Sequence, residues 1–109
     1  MSENVIVVVP LKASEGRGGD LVAAFTPCIE ETVKEKGCVR YSLNRDKANP
    51  DAFVHVEVWR SQDDLDAHFQ TPHLQALLGA MGAPGLLAEP PGMGFYAPEG
   101  VGGDKGILA

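Results

Sequence analysis

The alternating side chains of residues 53–59, FVHVEVW, limit the possible folds more than any other feature of the sequence. Because strand side chains point to opposite faces with a period of two, one face of this strand carries only valine. The other face mixes aromatic and ionisable side chains, namely Phe53, His55, Glu57 and Trp59. A half-solvated strand would carry small polar residues there, so both faces are expected to be covered. A covered carboxylate and imidazole need partners, and such groups are typical of a functional site.

Two short helices are predicted directly after this strand, and they carry the other two histidines. Ser61 and Asp64 have the spacing of a capping box, which begins the first helix. Thr71 is expected to cap the second helix, with Pro72 as its first residue. Helical spacing predicts a buried side on the two helices that comprises Leu65, His68, Phe69, His73, Leu74, Leu77, Leu78 and Met81.

Length and charge limit the class of protein. A chain of 109 residues suits one domain, and 44% hydrophobic residues is ordinary for a globular protein. The net charge of -6 argues against nucleic acid and against an anionic membrane surface as partners, because no basic stripe exists to meet phosphates. No apolar run approaches the roughly 20 residues of a membrane span. Cys28 and Cys38 fit no metal or redox motif, so buried free thiols and a cytoplasmic location are expected.

The order of elements predicts the fold class. When the two short helices that follow residue 60 are counted as one helical segment, the order is strand, helix, strand, strand, helix, strand. This is the split βαβ pattern of a ferredoxin-like α+β fold. We expect an antiparallel four-stranded sheet with its helices on one side. The remaining elements are strands at residues 5–11, 38–45 and 93–97, a turn at residues 46–51, and a helix from an Asp20 N-cap to about residue 36.

The valine face predicts a homodimer. Helices cover only one side of such a sheet, and the valines of the other side cannot be left in water. The simplest cover is a second copy of the same sheet. Residues 1–97 are therefore expected to form a single domain, and residues 98–109 a loose tail or an arm that docks on the partner.

Five short pieces of the sequence form a recognisable series when taken in order. They are GCVRY at 37–41, NRD at 44–46, Phe53 with EVWRS at 57–61, LDAHF at 65–69 and TPHL at 71–74. Together they resemble the antibiotic biosynthesis monooxygenase family of dimeric α/β-barrel proteins. The resemblance covers about residues 4–97 and implies a dimer whose two sheets form a barrel. It is closest to cofactor-free quinol monooxygenases, which oxidise hydroquinones or polyketide phenols with molecular oxygen.

This resemblance implies a pocket built by Glu57, Trp59, His68 and His73. His68 and His73 are the candidate catalytic bases, because neutral imidazole suits proton removal from a phenol near neutral pH. The deprotonated substrate could then give an electron to oxygen with no cofactor. The expected substrate-binding residues are Trp59, Glu57, Phe53, His55, Phe25 and Phe69.

Other readings of the same residues stay open. A histidine on an apolar stripe is often a packing residue, and Glu57 could form an ion pair with Arg40 or Arg60. A non-catalytic dimeric barrel that binds a small aromatic ligand, or an isomerase or cyclase on the same scaffold, would fit the pattern as well. No metal site is predicted, because the spacing of five between His68 and His73 does not suit a metal pair on one helix.

Overall fold

The computed structural model describes residues 4–108, so the first three residues of the predicted domain and the last residue of the predicted tail lie outside it. The elements follow the expected order. They are β1 Val5–Lys12, α1 Gly18–Thr32, β2 Cys38–Arg45, β3 Ala52–Trp59, α2 Gln62–Phe69, α3 Pro72–Met81, β4 Gly94–Tyr96 and a short 3-10 helix at Gly103–Gly106.

The four strands form one antiparallel sheet in the order β2-β3-β1-β4, which confirms the ferredoxin-like α+β fold. β1 pairs with β3 along its whole length, from Val5 opposite Trp59 to Lys12 opposite Ala52. β4 is short and pairs only with the first half of β1. Pro10 can therefore occupy β1. It has no backbone N–H to donate, and the pairing of β1 with β4 ends at Val8, before Pro10 is reached.

The start of α1 differs from the expectation. The N-cap residue is Arg17 rather than Asp20, and Asp20 lies in the first turn, 2.9 Å from the Arg17 guanidinium. The capping carboxylate comes instead from Asp51, whose two oxygens accept the backbone N–H groups of Gly16 and Gly18 at 2.9 Å. A remote side chain thus does the work that the local pattern assigned to Asp20.

The later helices begin where the pattern predicts. Ser61 Oγ accepts the backbone N–H of Asp64 at 3.1 Å, and Thr71 Oγ1 accepts that of Leu74 at 3.3 Å. One helix end and one buried position were predicted wrongly. α1 ends at Thr32 instead of near residue 36. Leu78, expected on the buried side of α3, is 47% exposed, because Leu74 and Leu77 already fill the side that meets the core.

The two faces of the sheet have different surroundings. The face toward the helices carries the buried core, including Val7, Leu11 and Trp59. On the opposite face, Val54 is 38% exposed and Tyr96 is 57% exposed in the single chain, whereas Val58 is already buried. Among the described residues, no helix is both long and apolar enough to cross a membrane.

Candidate functional site

The alternation of β3 turns its aromatic and ionisable side chains toward the helices, where Trp59 meets the imidazole of His68. The Trp59 and His68 rings are 4.6 Å apart and tilted by 34°. Tyr41, from the neighbouring edge strand, lies edge-on to His55 at 4.2 Å and to His68 at 5.2 Å. Trp59, His55 and His68 are each at most 1% exposed. The protein's own rings therefore occupy the space beside Trp59 where the family resemblance implied a pocket.

Glu35 joins the two candidate bases. Its Oε2 atom lies 2.8 Å from His68 Nδ1 and 2.7 Å from His73 Nε2. A carboxylate oxygen only accepts hydrogen bonds, so each imidazole donates an N–H to it. The three side chains come from three places: the turn after α1, the last turn of α2 and the first turn of α3. We call Glu35, His68 and His73 the carboxylate–imidazole trio.

A tight connection between α2 and α3 brings the two histidines together. Thr71 Oγ1 donates to the carbonyl of His68 at 2.7 Å and also caps α3. Because α3 starts directly after this residue, His73 lies in the turn next to His68, and the ring centroids are 6.0 Å apart. The sequence argument against a metal site used the spacing of five between His68 and His73, which applies to two residues on one helix. Here the two residues lie on different helices.

Glu35 was not among the predicted site residues. In the sequence it is one of several acidic residues in a segment that reads as a solvated helix end. The available signal was indirect, because two imidazoles on apolar helix stripes need a polar partner when they are buried. Nothing in the local pattern around Glu35 marks it as that partner.

Glu57 has an aromatic partner instead of an arginine. The indole Nε1–H of Trp59 donates to Glu57 Oε1 at 2.9 Å, and the carboxyl residue is only 7% exposed. Burial, opposed by the Trp59 hydrogen bond and aided by the charge of Glu35, raises the pKa of Glu57 to about 7.

The buried histidines favour their neutral forms. Burial lowers the pKa of His55 to about 4, with repulsion from His68 adding to the effect. Burial also lowers the pKa of His68, against the attraction of Glu35. Among the described residues, neither ring nitrogen of His55 has a hydrogen-bond partner, and His68 Nε2 has none either.

Two cavities lie next to this cluster. A groove of about 330 Å³ between α1 and α3 is lined by His73, Glu31, Cys28, Leu77, Pro27 and four alanines. A second cavity of about 340 Å³ lies between α1 and β2, and its lining includes Tyr41, Phe53 and Arg45. The Arg45 guanidinium lies 4.9 Å from the centre of the Phe53 ring, within reach of a cation–π contact.

The other predicted substrate-binding residues are spread around the cluster. Phe25 is 3% exposed and contacts His55 edge-on, with 5.1 Å between ring centroids. Phe69 is half-buried, with its ring 6.2 Å from that of His68. Of the eight predicted site residues, His73 and Phe53 are the two that line these cavities.

Comparison with known proteins identifies the family. The family model described as antibiotic biosynthesis monooxygenase matches residues 4–79. An uncharacterized protein of Synechocystis is 32% identical over 92 residues, which are 84% of this chain and 61% of that protein. The probable quinol monooxygenase YgiN of Escherichia coli is 37% identical over 60 residues, 48% of this chain and 58% of YgiN. The chain thus spans about three fifths of the length of these curated relatives.

Solved structures give the same result. A Nitrosomonas europaea protein that carries the family's name superposes with a TM-score of 0.81 at 20% identity, covering 88% of this chain and 90% of that one. A Caulobacter crescentus protein with the same family name gives 0.78 at 26% identity, covering 87% and 89%. The first likeness is one of fold alone, whereas the family match spans most of the chain. The chain therefore belongs to the antibiotic biosynthesis monooxygenase family.

Proposed function

We propose that this protein is a cofactor-independent monooxygenase that oxidises a phenolic or hydroquinone substrate with molecular oxygen. The observation that carries the proposal is the carboxylate–imidazole trio, in which one Glu35 oxygen accepts hydrogen bonds from both imidazoles. A base whose orientation is fixed by a third group is the usual arrangement for proton removal. Family membership and the partial similarity to YgiN support the choice of reaction.

The geometry favours His73 over His68 as the base. His68 is 1% exposed and packed against Trp59, whereas His73 keeps 19% of its side chain exposed and lines the groove between α1 and α3. With Nε2–H donated to Glu35, the lone pair of His73 Nδ1 is free to accept a proton. His68 then acts as a positioning residue, since it shares the Glu35 oxygen that orients His73.

The reaction needs no outside reductant. Removal of a phenolic proton by His73 makes the substrate electron-rich, and the electrons that reduce oxygen come from the substrate itself. A hydroquinone and O2 give a hydroxyquinone and water, which balances all atoms. At about 330 Å³ the groove lies near the lower end of the roughly 300–1,000 Å³ typical of small-molecule sites, so a small aromatic substrate is expected.

Oxygen uptake with a panel of hydroquinones and polyketide-like phenols tests this proposal. His73→Ala should lower the rate by about 10²–10⁴-fold, the usual contribution of a general base. Asp63→Asn, a change on the exposed first turn of α2, is the control and should leave the rate intact. A wild-type rate equal to autoxidation across the panel would refute the proposal.

A second candidate is a non-catalytic barrel that binds a small aromatic ligand. The cavity lined by Tyr41, Phe53 and Arg45 favours it, because aromatic walls and one cation suit an aromatic anion. Thermal stabilisation by such a ligand, lost in Arg45→Ala and accompanied by no oxygen uptake, would support this candidate over the first. Turnover of a substrate without oxygen uptake would instead indicate an isomerase or cyclase.

We also propose that the chain works as a homodimer joined through the valine face of the sheet. The support is the partly exposed apolar surface of β3 and β4, including Val54 and Tyr96. Light scattering after gel filtration should give twice the chain mass of 11.5 kDa. Val54→Lys should shift the protein toward monomer, whereas Val33→Lys, at an exposed valine beyond α1, should not.

A further inference from the structure

The carboxylate–imidazole trio has the donor set of a metal site. One ligand atom from each of Glu35, His68 and His73 lies within 4.8 Å of the other two. Two imidazole nitrogens and one carboxylate oxygen are ligands that Zn²⁺ takes in open sites, where water fills the fourth position. We propose that these three residues form a binding site for one Zn²⁺ ion.

The side chains must rearrange to reach bonding geometry. Bonds of about 2.0–2.2 Å place tetrahedral ligands roughly 3.3 Å apart. The two contacts of Glu35 with the imidazoles are 2.8 Å and 2.7 Å, so each must lengthen by roughly half an ångström for Zn²⁺ to enter. The two imidazole nitrogens lie within 4.8 Å of each other and must approach to roughly 3.3 Å. Glu35 and His73 are 17% and 19% exposed and can adjust, and their exposure also gives an ion a path from solvent.

The surroundings of the trio suit a cation. Within residues 4–108, the ion-pair partners of Glu35 are the two imidazoles, so no lysine or arginine competes for its oxygen. The Trp59 ring packs on His68 and restricts the orientation of one ligand. The opposite nitrogen of that ring, Nε2, has no hydrogen-bond partner among the described residues, so its N–H stays unpaired when Nδ1 binds the ion, which lowers the affinity.

Metal binding and proton removal would exclude each other. Zn²⁺ takes the lone pairs of the ring nitrogens that face Glu35, so the proton of each neutral imidazole must move to its opposite nitrogen. For His73 that atom is Nδ1, the proposed proton acceptor. Bound Zn²⁺ should therefore inhibit the monooxygenase, a consequence that rests on the proposed function, whereas the metal site itself does not.

Zn²⁺ titration of the untagged protein against a chromophoric indicator tests the site without any activity measurement. We expect one ion per chain for the wild type, and Co²⁺ should show the visible absorption bands of a four- or five-coordinate site. Glu35→Gln and His73→Ala each remove a ligand and should weaken binding by at least about 100-fold, more than the usual loss for an outer-shell partner. Glu31→Gln makes the same change in charge one turn earlier, at a carboxylate that pairs with Lys34, and should bind as the wild type does.

Circular dichroism without metal shows which variants are folded. Two ligand variants are used, so that the site can still be tested with one of them if the other does not fold. The metal site would be overturned if a folded ligand variant bound Zn²⁺ as tightly as the wild type. It would also be overturned if Glu31→Gln lost as much Zn²⁺ affinity as the ligand variants. Zn²⁺ binding that leaves oxygen uptake unchanged would overturn the inhibition and the assignment of His73 as the base. A wild type with no oxygen uptake leaves the binding result fully interpretable.

Discussion

His55 and His68 are equally buried, at 1% exposure, and both rings contact Tyr41, yet their surroundings differ in one respect. His68 Nδ1 donates to the Glu35 carboxylate, whereas neither nitrogen of His55 has a partner among the described residues. His55 lies among the rings of Phe25 and Tyr41, deep against the sheet. His68 lies at a helix end, where a carboxylate from a neighbouring turn can reach it.

The difference shows how position decides what a buried imidazole can do. A ring without partners stays neutral and cannot pass a proton on, so His55 contributes packing at a cost in desolvation. A ring hydrogen-bonded to a carboxylate can keep, orient or exchange a proton, and the trio reaches solvent through His73. We therefore expect changes at the two places to affect stability with opposite sign.

The largest expected effect is on acid stability. Because burial lowers the pKa of His55 from 6.5 to about 4, its contribution to stability is present above pH 6.5 and is lost as the pH falls through 4. At roughly 1.4 kcal/mol for each pKa unit, the difference between the two pKa values corresponds to about 3 kcal/mol of folding stability. His55→Phe should therefore be more stable than the wild type by about 1 kcal/mol at pH 7.5, where an unpartnered polar ring is removed, and by about 3 kcal/mol more near pH 4.

Urea unfolding at several pH values measures this difference. Glu57 titrates in both proteins, so its contribution cancels when the variant is compared with the wild type. Tyr41→Phe is the matched control, because burial raises the pKa of the Tyr41 hydroxyl and the residue stays neutral throughout. A wild type that resists acid as well as His55→Phe does would mean that His55 has a partner in solution.

A change of opposite sign is expected at Glu35. Glu35→Ala leaves the Nδ1–H of His68 buried without an acceptor, so the free energy of unfolding should fall by about 2 kcal/mol at neutral pH. Glu31→Ala is the control, since Glu31 and Lys34 form an exposed pair worth less than about 1 kcal/mol. Equal stability of Glu35→Ala and the wild type would remove the contrast between the two buried histidines.

The sequence predicted the scaffold well because the scaffold depends on local patterns. The alternation of residues 53–59 gave the face that meets the helices, and Ser61 and Thr71 gave the correct helix starts. The prediction failed where a residue acts on a distant segment. Asp51 caps α1 from 33 positions away, and Glu35 meets His73 from 38 positions away. A pattern within a single helix contains no information about either contact.

The smallest expected effect concerns Glu57, which is intermediate between the two histidines because it has one hydrogen-bond partner. Since burial raises the pKa of Glu57 to about 7, its contribution to stability is present below pH 4.5 and is lost as the pH rises through 7. Trp59→Phe removes the N–H that stabilises the ionised carboxylate, so the pKa should rise further. The loss of stability between about pH 5.5 and pH 8.5 should then exceed that of the wild type by about 1 kcal/mol.

The difference in unfolding free energy between the two pH values reports on this hydrogen bond alone. The packing cost of the smaller phenylalanine ring is the same at both pH values and cancels in that difference. Glu57→Gln with Trp59 intact removes the titrating group, so its stability should vary least across the span. If Trp59→Phe and the wild type lost the same stability between these pH values, the indole N–H would not stabilise the ionised Glu57 carboxylate. In that case Glu57 would resemble His55, a buried polar group without an effective partner, and only the trio would combine burial with a route for protons.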